Sequence, residues 1–218
     1  MVSALKGMHR MARCFRRERP KQEGGKRHMV NLSKGGNVSL EKADPGIKKV
    51  LVGLGWDPRA TAGDKFDLDA VILLVGADSK VIDDKHLVFY NNKVSPCGGV
   101  VHAGDSRDGA GNGDDETVNV ELDKVAPGVH KIIFAVSIHD AVTRKQTFGQ
   151  VSNAKIRLLN SETQIEVIRF DLSEDSSVES SMIFGELYRH NGEWKFKAVA
   201  QGFAGGLAEL VRNYGVAA

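Results

Sequence analysis

With 218 residues, 41% of them hydrophobic, the chain is long enough to bury a core unaided, and two cysteines outside any CxxC spacing exclude a disulfide framework. The formal charge of +2 hides an asymmetry: residues 1–29 hold nine Lys/Arg against Glu18 and Glu23, leaving 21 Lys/Arg against 26 Asp/Glu in the remainder. No apolar run reaches the roughly 18 residues a membrane helix needs and the N-terminus shows no secretory h-region, so a cytoplasmic protein that does not span a membrane is expected.

Residues 1–29 carry no periodic apolar pattern and read as a basic tail set apart from a folded domain over residues 30–218. Three readings of that tail stand: an arm for nucleic acid or anionic lipid, an added extension, or upstream sequence ahead of a start at Met29. From Val30 onward short β-rich runs alternate with turn signals, and 24 glycines with only 6% aromatic content favour an all-β sandwich or barrel. Residues 49–56 (KVLVGLGW) and 67–76 (DLDAVILLVG) suit central strands, the second with an apolar run fit to be buried on both faces. Strands are further expected over 87–90, 117–122, 131–138, 154–159 and 165–170; in the second of these Val118, Val120 and Leu122 alternate with polar neighbours, which implies one wet face. Residues 181–190 and 193–202 flank Asn191-Gly192, the signature of a hairpin closed by a type I′ turn. A helix is expected over 207–213 with Leu207, Leu210 and Val211 on one stripe and Gly215 as its stop, and a further short helix over 175–181.

The chemistry is concentrated in residues 105–116, DSRDGAGNGDDE, where crowded carboxylates repel unless a cation neutralises them or water keeps them apart. Calcium takes six to eight oxygen ligands in flexible geometry, and glycines let carbonyls turn toward it, so calcium and a merely solvated acidic loop are both open readings. The EF-hand pattern fails, with Arg107 and Gly109 at two ligand positions and Ala110 where Gly is required; any site is therefore an inter-strand loop site. Asp67 and Asp69, two apart in a strand, project from one face and can add ligands, with Asp57 and Asp64 ranked behind them. The histidines show no zinc spacing near Cys97, and the glycine-rich stretch lacks the GK[ST] ending of a phosphate loop. His139-Asp140 reads as a structural turn, because no Ser or Cys stands in a nucleophile motif; no enzyme is expected.

The stretches VNLSKGGNVSLEK, VLVGLGWD, FDLDA, GDSRDGAGNGDDE, KIIFAVSIHDA, FGQVSNAKIRLLN and FGELYRHNGEWKFKAVAQGFAGGL together cover nearly all of residues 30–218. In that order they resemble the TerD family of bacterial tellurium-resistance and stress proteins. The resemblance implies a two-sheet β-sandwich with small helices, one near the C-terminus, and calcium held by Asp67, Asp69, Asp105, Asp114, Asp115 and Glu116, with Asp108 in a second tier beside Asp57, which its place at the end of the preceding strand suggests. So many carboxylates suggest two ions. It also implies a role in resistance to tellurite and other stresses, for which the expected form is a non-catalytic, calcium-dependent interaction module, with other Ter-family proteins or a membrane-associated stress complex as partners and no sequence-specific nucleic acid. The alternative is a calcium-dependent binder of a cyclic nucleotide or another phosphate ligand.

Overall fold

The computed structural model describes residues 29–58, 66–103, 113–172 and 178–218. Twelve strands among them form two six-stranded sheets laid face to face. The first sheet has the order β1 (Val30–Asn31), β10 (Glu166–Asp171), β9 (Val151–Asn160), β3 (Lys49–Pro58), β7 (Glu116–Glu121), β6 (Val100–His102). The second runs β2 (Asn37–Ser39), β12 (Glu193–Phe203), β11 (Ser181–His190), β8 (Lys131–Ile138), β4 (Leu68–Val75), β5 (Leu87–Val88). Every pairing is antiparallel except that of β1 with β10. The all-β sandwich is the architecture the sequence resemblance implies.

Alternation assigns the core. Val50, Val52 and Leu54 of β3 and Val118 and Val120 of β7 point inward from the first sheet to meet Leu68, Ala70, Ile72 and Leu74 of β4 and Ile132, Phe134 and Val136 of β8. The opposite faces of β4 and β8 are apolar too. Val71, Leu73, Val75, Ile133 and Ala135 form a second cluster on the outside of the second sheet, closed by Leu210 and Val211 of α3 (Gly206–Asn213). This double burial is what the unbroken run in residues 67–76 demands. β4 is nevertheless not central: it lies one strand from the edge, beside the two-residue β5, and the helix supplies the cover that flanking strands would not.

The hairpin of β11 and β12 turns at Asn191 and Gly192, with φ of 52° and 80°, the left-handed pair a type I′ turn requires. Strand β7 stops one residue short of the expected end, since Leu122 opens a 3-10 turn while keeping its side chain buried. Two helical turns, α1 (Leu40–Ala43) and α2 (Ala141–Arg144), and the short strands β1, β2 and β6 lie outside the expected elements. The short helix expected over 175–181 falls partly outside the described residues; the remainder, 178–181, is non-helical and leads into β11. In α3, Leu210 and Val211 are buried as expected but Leu207 is 39% exposed, so the buried stripe is narrower than the expected one. Among the described residues no helix is long and apolar enough to cross a membrane.

Candidate functional site

Three consecutive acids, Asp114, Asp115 and Glu116, enter β7 opposite the end of β3, and strand geometry sends them to three different places. Asp114 lies on the outer face above Gly53. A Cβ there would stand 2.1 Å from Asp114 Oδ2, so only glycine leaves room for the carboxylate. Arg157 of β9 donates from Nε to Oδ1 at 2.8 Å and from Nη2 to Oδ2 at 3.0 Å, while its Nη1 donates to Glu166 at 3.0 Å. This two-pronged contact is the strong form of an Arg–carboxylate pair.

Asp115 stands just ahead of β7, against β3. Its backbone amide donates to Leu54 O at 2.8 Å and its Oδ2 accepts the Trp56 amide at 2.8 Å. The residue is 5% exposed, and burial pushes its carboxyl above the usual carboxylate range. The Trp56 amide and Lys155 oppose that shift, whereas Asp57 and Asp114 reinforce it. Asp57 itself, exposed, accepts from Asn153 Nδ2 at 2.6 Å.

Glu116 has the parity of Val118 and Val120 and therefore points into the sandwich, where it is 1% exposed. There its Oε2 stands 3.1 Å from Nε2 of His102, an equally buried side chain on β6. The contact is one of proximity more than of hydrogen-bond alignment.

Asp67 and Asp69 belong to the other sheet. They flank the inward-pointing Leu68, as the period-two argument requires. The Asp67 carbonyl accepts the His139 amide at 2.7 Å, and Asp69 Oδ2 lies 3.7 Å from His139 Nδ1. Asp64, Asp105 and Asp108 lie outside the described residues. The structure thus groups Asp57, Asp114 and Asp115 at one end of the first sheet and Asp67 and Asp69 on the second. Among the described residues no group of three or more His, Cys, Asp or Glu is disposed to hold a metal ion.

Sequence reading missed Arg157 and His102, the partners of Asp114 and Glu116. The basic residue in the middle of β9 carried no signal of its own, and the three-residue β6 was too short to announce which way His102 faces.

Residues 29–214 match the TerD domain. The chain belongs to the TerD family. A TerD-family relative, the tellurium resistance protein TerD of Serratia marcescens, is 59% identical over 187 residues, covering 86% of this chain and 97% of that protein. General stress protein 16U of Bacillus subtilis is 50% identical over 188 residues, again covering 86% of this chain and 97% of its own. The TerD fold also recurs in the crystal structure of a homologue of the telluride resistance protein from Streptomyces coelicolor, with a TM-score of 0.61 and 26% identity over 79% of this chain and all of that one. The described TerD domain therefore shares its fold with that homologue, and the basic residues ahead of Met29 fall outside the match.

Proposed function

We propose that this TerD-family chain is a calcium-binding interaction module of the tellurite-resistance and stress-response system. The observation that carries the reading is Asp115: a carboxylate nine-tenths buried, with Asp57 and Asp114 beside it, at the mouth of the acidic segment 105–112. A divalent cation relieves the repulsion that this placement creates. The donor chemistry fits, because the available groups are hard oxygens, which suit calcium rather than zinc. Asp57 and Asp115 would hold the ion together with Asp105, Asp108 and carbonyls of the glycine-rich segment. Asp114 and Glu116 reach an ion only by leaving Arg157 and His102, so their first role is to fix the path of the chain on either side of Asp115. Asp67 and Asp69, on the second sheet, are the ligands for a second ion.

Calorimetric titration of the full chain with calcium, beside magnesium and an Asp115→Asn variant, tests the reading. Saturable calcium binding that raises the melting temperature and is lost in the variant supports it, and the stoichiometry tells whether Asp67 and Asp69 take a second ion. No heat and no thermal shift sinks it. If calcium binds, capture of other Ter-family proteins with calcium present and with chelator reads whether the ion gates a partner surface.

A further inference from the structure

On the outer face of the second sheet, where α3 begins, the helix no longer covers the strands and a cleft of about 350 Å³ opens. This is at the small end of the size range of ligand sites, about 300–1,000 Å³. Its floor holds Asp69 and Ser137, paired in register on adjacent strands, with Ser180 at its side; Ser181, in register with Ser137 on the next strand, lies beneath. Ser181 Oγ donates to Ser137 Oγ at 2.7 Å, and both serines are buried. One wall is the pair Phe89 and Tyr90, whose rings stand edge to face at 5.3 Å. At the rim Val142 is 88% exposed, and Tyr90 and Leu207 are exposed beside it.

Among the described residues, the ionisable side chains lining the cleft are Asp69, His139, Asp140 and Tyr90, with no Lys or Arg. His139 lies between the two carboxylates, 3.7 Å from Asp69 and 3.6 Å from Asp140. The helix N-terminus offers no welcome to an anion either, because Glu209 Oε2 already accepts the Gly205 amide at 2.7 Å. An apolar mouth and aromatic wall over an acidic, hydroxyl-bearing floor select for one chemistry. We propose that, when no second calcium ion occupies Asp69, this cleft binds a small organic cation, a primary ammonium group carried on an apolar body, with the ammonium at Asp69 and Asp140 and the body against Tyr90 and Leu207.

The test is a titration of the uniformly ¹⁵N-labelled full chain with phenethylamine in chelator, followed by amide shifts, with 2-phenylethanol and phenylacetate as neutral and anionic controls. The expected result is saturable shifts at Tyr90, Asp140, Val142 and Leu207 for the amine, with affinity reduced about tenfold in Asp140→Asn and in Tyr90→Ala. Asparagine tolerates the left-handed backbone of Asp140, whose φ is 51°, so that variant keeps the turn. Amine binding that neither variant weakens, shifts that never saturate, or equal binding of the alcohol overturns the proposal. Chelator makes the result independent of calcium: absence of calcium binding leaves an amine-filled cleft standing, and an amine-silent cleft fails whatever calcium does.

Discussion

The outer faces of the two sheets solve the same problem in opposite ways. On the first, Arg157 joins Asp114 to Glu166, and Arg169 joins Glu166 to Asp171, so that charge is paired where the sheet meets water. On the second, Val71, Leu73, Ile133 and Ala135 lie beneath Leu210 and Val211 of α3. Hydration and ion pairing finish one face; a helical lid finishes the other, and the place where the lid stops is the cleft. The difference teaches that burial on a strand's second face is decided by what comes much later in the chain.

The largest effect that separates the faces is expected from Leu210→Ala, which removes a fully buried lid side chain and costs about 2–5 kcal/mol, against less than about 1 kcal/mol for Leu51→Ala on the outward side of β3. Denaturant unfolding of both variants checks it; equal losses would break the comparison. Next is Gly53→Ala, whose methyl group drives Asp114 from its seat and the Arg157 contact, at a cost of about 1–3 kcal/mol. Because the cost runs through one carboxylate, the double variant Gly53→Ala/Asp114→Ala is expected to be more stable than the sum of the single losses predicts, and strict additivity would show that the two positions act independently.

The smallest effect is a pH dependence. With its carboxyl pushed upward by burial, Asp115 keeps its proton to higher pH in the folded chain than in the unfolded one. The unfolded chain therefore binds fewer protons between the ordinary carboxylate value and the raised one, and stability falls as pH rises through that window. In chelator, Asp115→Asn is expected to flatten this fall in a series of melting temperatures against pH. A fall of unchanged size in the variant would place its origin in another group.

Much of this was legible before any coordinates. The double burial of β4, the Asn191-Gly192 hairpin and the burial of Leu210 and Val211 follow from period and turn chemistry because each is a local pattern, whereas the central place expected of β4 and the burial expected of Leu207 depend on which elements pack against them and did not hold. The candidate site was less so. Reading Asp114, Asp115 and Glu116 as one ligand set overlooked that Val118 and Val120, correctly taken as inward, force Glu116 inward as well. That parity was available in the sequence. The partnership of Asp114 with Arg157 was not, since it depends on β3 leaving a glycine-sized gap between β7 and β9, and strand neighbours so far apart in the chain leave no mark on either segment.

Among the described residues the only parallel pairing of the first sheet places Val30 and Asn31 against β10 at one margin of the sandwich, while β5 and β6 meet at the opposite margin, near Phe89, Tyr90 and His102. Anything attached ahead of Val30 is therefore anchored on the side away from both the aromatic wall and the entry to β7. Attachment at Val30 turns those surfaces toward the analyte on a sensor or bead, whereas a C-terminal attachment beyond Val216 leaves from the helix that borders the cleft.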